Sequence, residues 1–168
     1  MSDYINKIIT LVLIFVMLVI GPLTFSYLSD EMTSQRMILN EVTEFLDKVT
    51  DQGSISAADL DDFYLAINSH GLVLDAKVEN YRMVAEPGTL DEKRNSYYFM
   101  VDDFRELGTD KNGDGIISDG ERVRNLLKRD IIKVHLEEMA VSPGRRLMYY
   151  VLRIDTGKYE LSMSAAVN

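Results

Sequence analysis

The sequence predicts an α+β fold with a long N-terminal helix, a short second helix and an antiparallel β-sheet of about four or five strands. Three observations lead to it: an uncharged apolar run near the N-terminus, helical periodicity continuing beyond that run, and alternation of apolar and polar residues in later segments. With 168 residues, the chain is expected to hold one folded domain besides its N-terminal segment. We assign residues 1–29 to a short tail and transmembrane helix, and residues 30–168 to an acidic α+β domain.

The apolar run extends from Ile8 to Ser29 without a charged residue. At helical rise its roughly 22 residues span about 33 Å, enough to cross a hydrocarbon core of about 30 Å. A cleaved secretory signal is the alternative, but that class has an apolar core of about 7–15 residues followed by a small-x-small cleavage site. This run is longer, and Gly21, Ser26 and Ser29 do not form such a site. A retained single-pass anchor in the lipid bilayer is therefore favoured.

Charge indicates the orientation of the chain and limits its partners. Lys7 and the free amine precede the apolar run, whereas Asp30 and Glu31 precede Arg36 after it. Because basic residues favour the cytoplasmic side, this count predicts a cytoplasmic N-terminus and a body outside the cell membrane. The net charge of −9 belongs to the body, since Asp3 and Lys7 cancel. Such a body is not expected to bind nucleic acid, which requires clustered Lys and Arg. The absence of cysteine fits either side of the membrane.

Helical periodicity continues after the membrane run. Apolar residues at i, i+3, i+4 and i+7 spacing predict one face of an amphipathic helix, and they are Ile38, Val42, Phe45 and Val49, with Leu39 and Leu46 beside them. One nearly unbroken helix is expected from about Asn6 to about Asp51, kinked at Gly21-Pro22 and ended by Gly53.

A second helix is expected to begin at Ser56, with Asp59 three residues later in a capping-box spacing, and to end at Gly71. Its predicted apolar face consists of Leu60, Phe63, Tyr64 and Ile67.

Period-two alternation predicts the strands. Three strands are expected at Leu72–Glu79, Tyr97–Phe104 and Ile132–Glu137, with a polar loop from Glu86 to about Asn95. The chain is then expected to end in a hairpin, with Leu147–Ile154 turning through residues 155–158 into a strand containing Tyr159, Leu161 and Met163.

Residues 110–121, DKNGDGIISDGE, match the twelve-residue EF-hand calcium loop at every position. Alternate side chains direct oxygens at one point, Gly115 allows the sharp turn, and a final glutamate contributes two oxygens. The predicted calcium ligands are Asp110, Asn112, Asp114, Ile116 through its backbone carbonyl, Ser118 directly or through water, and Glu121. The alternative is a surface turn rich in Asp and Gly that matches the pattern by chance.

The flanks of this loop do not contain a paired EF-hand. Tyr97–Phe104 before it is predicted as strand, and Glu121 to Ile132 after it as an exit helix with Val123, Leu126 and Leu127 on one face. A lone loop between a strand and a helix favours a structural calcium clip over a sensor that opens and closes. Calcium at extracellular concentration would keep even a weak site of this type loaded.

Other polar groups do not suggest catalysis. His70 and His135 have no carboxylate at ligand spacing, and the pairs Asp61-Asp62 and Asp102-Asp103 consist of sequence neighbours that point apart. The sequence predicts no enzyme and no small-molecule substrate. Four tyrosines are interpreted as strand packing and sheet surface, with an interaction patch as the alternative: Tyr97, Tyr98, Tyr149 and Tyr150.

The order of these elements resembles the type IV pilin superfamily, in which a short tail and an apolar helix lead through an amphipathic half into an antiparallel sheet. More narrowly, residues 1–79 resemble pilin-like or pseudopilin-like proteins of tight-adherence (Tad-type) pilus and secretion systems of Gram-positive bacteria. The residues that carry the resemblance are Met32–Arg36, Phe45–Gly53 and Leu60–Gly71. The resemblance implies a structural subunit whose N-terminal helix packs against other copies or other pilin-like subunits in an extracellular filament.

The N-terminus departs from pilins that a prepilin peptidase processes, which carry a basic leader ending in Gly and a glutamate just inside the mature segment. Here Ile5 and Asn6 occupy that region, and Asp3 is the early acid. Two alternatives follow: the leader is absent from the given sequence, or the protein inserts unprocessed. A second functional class also stays open, namely a membrane-anchored calcium-binding interaction domain that does not polymerise.

Overall fold

A computed structural model of the chain describes residues 2–85, 96–108, 122–153 and 157–168. Its elements are α1 (Ser2–Phe15), a π-helical turn (Val16–Ile20), α2 (Gly21–Gln52), β1 (Ser54–Ser56), α3 (Ala57–Asn68), β2 (Leu74–Ala85), β3 (Ser96–Asp103), a 3₁₀ turn (Phe104–Glu106), β4 (Val123–Asn125), β5 (Ile131–Glu138), α4 (Pro143–Leu152) and β6 (Glu160–Ala166). The fold is α+β with a long apolar N-terminal helix and antiparallel sheets, as the sequence predicts.

The chain divides into two compact units, and the division falls inside α2. The first unit comprises Met1–Arg36 and Val141–Gly157, and the second comprises Met37–Ala140 and Lys158–Asn168. The described elements of the first unit are all helical. The second contains the described strands, α3 and the C-terminal part of α2.

Two antiparallel sheets form the β-structure of the second unit. The larger has the order β3-β2-β5-β6, and the smaller pairs β1 with β4. In the larger sheet, Val78 lies opposite Val134, which lies opposite Met163. The pairing of β2 with β3 shifts register after Asn80, so that Asn80 pairs with Asp102 and Tyr81 with Met100. Such an irregularity interrupts the ladder of hydrogen bonds between the two strands locally.

The core of the second unit lies between one face of the larger sheet and the helices. The apolar face predicted for α2 is buried at Ile38, Val42, Phe45, Leu46 and Val49, whereas Leu39 is 40% exposed. Phe45 stacks on Phe63 of α3 with ring centroids 4.3 Å apart. Buried strand residues alternate as period two requires, and they are Leu74, Ala76 and Val78 in β2 and Ile132, Val134 and Leu136 in β5.

The predicted end of the first helix and the predicted start of the second are confirmed, whereas α3 ends at Asn68, before the predicted Gly71. Gly53 takes φ +63° and its amide donates to the Val49 carbonyl at 3.0 Å, so that it ends α2 in a left-handed conformation. Ser56 caps α3 and forms a reciprocal capping box with Asp59. Lys48 contacts the same Asp59 carboxylate at 2.6 Å and thereby ties α2 to the start of α3.

The first strand of the predicted C-terminal hairpin is wrong: residues 147–152 belong to the helix α4, which begins at Pro143. Ser142 caps this helix by accepting from the Arg145 amide, and proline stands in its first turn, where a missing N–H costs nothing. Arg153 ends it in the left-handed region. The run of apolar and aromatic residues had suggested a strand, but the Ser-Pro start favours a helix. Residues 154–156, which end the predicted strand and begin the predicted turn, lie outside the described residues.

The strand β6 nevertheless forms and pairs with β5. The predicted exit helix from Glu121 to Ile132 is also wrong, because Val123–Asn125 form β4 and pair with β1. Of the three apolar residues assigned to that helix, only Leu126 is buried, since Val123 and Leu127 are 43% and 54% exposed. The predicted polar loop at residues 86–95 lies outside the described part of the chain.

Candidate functional site

The first candidate is the exposed apolar surface of the N-terminal helix. The helix from Asp3 to Gln52 is the one helix among the described residues that is long and apolar enough to cross a membrane. Its most apolar 18-residue window has a mean hydropathy of 2.8, and none of that window is buried. Large side chains are open along its length, with Leu11, Met17 and Phe25 each at least 70% exposed. An apolar surface of this extent marks an interaction with lipid or protein, and the segment could be a membrane anchor or a signal sequence.

Pro22 is accommodated by a wider helical turn. The Gly21 amide donates to the Val16 carbonyl, five residues back, within the π-helical turn Val16–Ile20. Proline cannot donate to the preceding turn, and its ring needs more room than an α-helical turn leaves. The helix therefore continues through Gly21-Pro22, and the disturbance expected there takes the form of a π-turn.

The two threonine hydroxyl groups inside the apolar run are bonded within the helix itself. Thr10 donates to the Asn6 carbonyl at 2.8 Å, and Thr24 donates to the Ile20 carbonyl. A segment in hydrocarbon must satisfy its polar groups internally. These side chains therefore add no unpaired hydroxyl to the apolar surface.

A buried ion pair joins α4 to this helix near the end of the apolar run. The Arg145 side chain is 4% exposed and donates through Nε to Glu31, while its Nη1 donates to the Gly157 carbonyl at 2.7 Å. Ser142 Oγ also lies 3.3 Å from the Glu31 carboxylate. Sequence reasoning missed this contact, because it joins residues 114 positions apart and no local pattern encodes it.

The predicted calcium ligands, Asp110, Asn112, Asp114, Ile116, Ser118 and Glu121, all lie outside the described residues, and so does the interior of the loop. Among the residues that the structure describes, no group of three or more His, Asp or Glu side chains is placed to hold a metal ion. The calcium site therefore remains a prediction from the sequence.

The two flanks of that loop are described, and both lie against the start of α3. On one side, Gly108 has φ +83°, and a Cβ placed on it would lie 2.8 Å from the Ala57 Cβ. On the other side, Val123 pairs with Ser56 in the β1–β4 ladder. Leu126 then donates its amide to the Gly53 carbonyl at 2.9 Å. The ends of the segment 109–121 are thus fixed to neighbouring residues of one corner of the second unit.

The histidines set aside in the sequence lie in separate places. His70 Nε2 is 3.6 Å from Glu41, and His135 Nε2 is 3.8 Å from Glu160. Each faces a single carboxylate, which is the arrangement of an ordinary ion pair when the imidazole is protonated.

Of the four tyrosines assigned to strands, Tyr149 and Tyr150 lie on α4 instead, with ring centroids 5.7 Å apart. Tyr98 lies on β3 and is 47% exposed. The two pairs therefore belong to different units.

Comparison with known proteins adds no relative: no protein-family model, curated protein or solved structure matches the chain.

Proposed function

We propose that the protein is a pilin-like or pseudopilin-like structural subunit of a surface filament or secretion apparatus. The supporting observation is the division of one helical stretch into two surfaces. Its N-terminal half is apolar and exposed, while Ile38, Val42 and Val49 of its C-terminal half are fully buried in the core of an α+β domain. Such a helix carries its own folded domain and leaves its apolar surface available for other contacts.

The exposed half can be covered in two environments. In the membrane, lipid covers Ile8–Ser29, whose length suits the hydrocarbon core. In a filament, the same side chains pack against helices of other subunits. Lipid tails are about as apolar as leucine, so transfer of the helix from the membrane to the filament costs little hydrophobic free energy. Packing between helices then decides which of the two environments is favoured. A subunit stored in the membrane and assembled later needs this property.

The proposal includes a calcium-stabilised globular domain. The loop pattern at residues 110–121 supports it, together with the anchoring of both flanks at β1 and the start of α3. Calcium bound between such flanks would hold the loop as a structural clip in the second unit.

Replacing the helix surface without removing the anchor tests the filament role. Residues 8–20 would be exchanged for a leucine-alanine run of equal length, and cells would be scored for surface fibres and export. Loss of assembly is expected, with the variant still in the membrane fraction, because the surface that recognises other subunits is gone. Leu65→Ser on α3, at a position 75% exposed, serves as the control and should assemble normally.

Two outcomes would contradict the proposal. Fibres and export that survive the exchange would mean that the helix is only a membrane tether, as expected for the alternative, a calcium-binding interaction domain that does not polymerise. Deletion of the gene with fibres and export unchanged would exclude a structural role. The mass of the mature protein in the membrane fraction distinguishes a retained anchor from a cleaved signal.

A further inference from the structure

We infer that α4 is an interfacial helix that lies in the lipid headgroup layer and fixes the depth of the apolar helix in the bilayer. The inference rests on the part of the proposed function that keeps the apolar helix in a membrane. It concerns contacts within the first unit alone.

The position of α4 along the apolar helix is the first argument. Glu31, which holds Arg145, comes two residues after Ser29, where the uncharged run ends. At the same level, a Cβ placed on Gly144 would lie 3.0 Å from the Tyr27 Cβ. The N-terminal turn of α4 is therefore fixed at the boundary between the part of α2 suited to hydrocarbon and the part suited to water.

This contact is built for close approach. Gly144 is buried in the first turn of α4, and any larger side chain there would press on the Tyr27 ring, whose Cγ is 3.3 Å from the same placed Cβ. The ion pair beside it is also enclosed, with 4% of Arg145 and 10% of the Glu31 side chain exposed. Small residues permit such backbone approach between helices, and the enclosed pair fixes the register.

The exposed side chains of α4 have the chemistry of a membrane interface. Tyr149 and Tyr150 are 47% and 74% exposed, and tyrosine rings concentrate where hydrocarbon meets headgroups. Arg146 and Arg153 are also exposed, and their long side chains can reach lipid phosphates. An interfacial helix combines these residue types.

Local charge separates this region from the rest of the chain. Residues 141–157 contain three arginines, of which Arg145 is paired with Glu31, and one acidic residue, Asp155, whereas the whole chain carries −9. An anionic lipid surface would attract this segment and repel the acidic body. The same surface would suit a second copy of the chain less well, because each copy would present arginines to arginines.

The experiment uses the full chain reconstituted in vesicles of equal parts phosphatidylcholine and phosphatidylglycerol. Since the protein contains no tryptophan, Tyr150→Trp supplies a single indole on α4. Leu65→Trp supplies a reference on α3, where the native side chain is 75% exposed against 74% for Tyr150. Emission would be recorded with and without lipids brominated near the carbonyl end of the acyl chain.

For Tyr150→Trp we expect a blue shift and strong quenching by the brominated lipid, with Leu65→Trp unquenched. Adding Gly144→Leu to Tyr150→Trp should relieve the quenching, because the leucine displaces α4 from Tyr27. The protein should float with the vesicles in every case.

The remaining outcomes separate the inference from the proposed function. If the Tyr150→Trp protein floats with the vesicles but its emission is not quenched, the inference about α4 is wrong and the membrane anchor is still supported. Equal quenching at both positions would overturn it as well, because the whole protein would then adsorb to lipid. Failure to float would remove the anchor, and the inference with it. Quenching abolished only when filaments assemble would show that a second subunit covers α4 in place of lipid.

Discussion

At the residue scale, Asp130 is a buried carboxylate that accepts four hydrogen bonds. It is 1% exposed and accepts hydrogen bonds from Arg82 Nε and Nη2 at 3.1 and 3.0 Å, from Asn80 Nδ2 at 3.3 Å and from the Leu127 amide at 3.0 Å. Burial raises the pKa of Asp130, whereas the hydrogen bonds from Arg82, Leu127 and Asn80 lower it. The lowering is larger, so the pKa of Asp130 lies below its ordinary value. The carboxylate joins β2 to the turn before β5.

Because the pKa of Asp130 is lower in the folded than in the unfolded chain, its ionised form stabilises the fold above the ordinary carboxyl pKa of about 4. That stability is lost as pH falls through the folded pKa. Asp130→Asn should lower the free energy of unfolding by about 3 kcal/mol near neutral pH, since it leaves Arg82 without its anion. It should also flatten the decline in stability below about pH 4.

Urea titrations of the full chain in detergent, near neutral pH and in acid, would measure both effects. Asp75→Asn is the matched control, because its ion pair with Arg105 at 2.9 Å is 50% exposed on both sides. Asp75→Asn should lower the free energy of unfolding by about 0.5 kcal/mol or less. Equal losses for the two variants would contradict the role assigned to Asp130.

Gly108 supports a second prediction, at the flank of the predicted calcium loop. Gly108 and Gly71 have nearly equal φ angles, +83° and +81°, but only Gly108 has a close neighbour, since a Cβ there would lie 2.8 Å from the Ala57 Cβ. Gly71→Ala should cost about 1 kcal/mol for backbone strain alone. Gly108→Ala should cost that amount plus about 1–3 kcal/mol for overpacking.

Adding Ala57→Gly to Gly108→Ala should restore most of the difference, because it removes the atom that the new Cβ meets. Thermal melting of the wild type and these three variants in detergent would measure this. Equal destabilisation by Gly71→Ala and Gly108→Ala, without rescue, would mean that the Gly108 flank is not packed against α3.

At the element scale, the predicted calcium loop has its own test. Asp110→Ala and Glu121→Gln should lower the melting temperature of the protein in calcium and leave it unchanged in chelator, because each removes a predicted ligand. Asp119→Asn provides a control in the same loop, since its position is not one of those that supply ligands. Wild-type protein that melts equally with and without calcium would exclude the site.

Elements with strong periodicity could be predicted from the sequence, and those that depend on distant partners could not. The amphipathic half of α2, the capping box of α3 and the alternation of β5 are all local signals, and the structure contains each of them. Residues 123–125 form a strand because β1 offers a pairing edge, and that edge is not visible near them in the sequence. Likewise, the calcium ligands follow a local spacing, while the Glu31–Arg145 contact joins segments far apart in the chain.

The run at residues 147–152 shows a different limit. Its side chains suit a strand by propensity, but a short apolar run is ambiguous between helix and strand. Ser142 and Pro143 resolve it, because a serine cap followed by proline in the first turn begins a helix. The serine–proline start signal is therefore a better guide to α4 than the strand propensity of residues 147–152.

At the scale of the whole molecule, the side of the membrane on which the body lies decides between a filament subunit and a calcium-binding anchor. The basic count that favours a cytoplasmic N-terminus rests on Lys7 and the free amine, so the preference is small. A body outside the cell would meet calcium and other subunits of a surface assembly. A body inside would meet no surface assembly, and cytosolic calcium would load the loop only if its affinity were that of a sensor site.

Labelling of an engineered cysteine measures this directly in a chain that has none. Ser69→Cys suits the purpose, because Ser69 is exposed at the end of α3. We expect a membrane-impermeant thiol reagent to label Ser69→Cys in intact cells as fully as in lysed cells, and the cysteine-free wild type to stay unlabelled in both. Labelling only after lysis would place the body in the cytoplasm. The filament subunit would then lose its support, and a cytoplasmic calcium-responsive anchor would take its place.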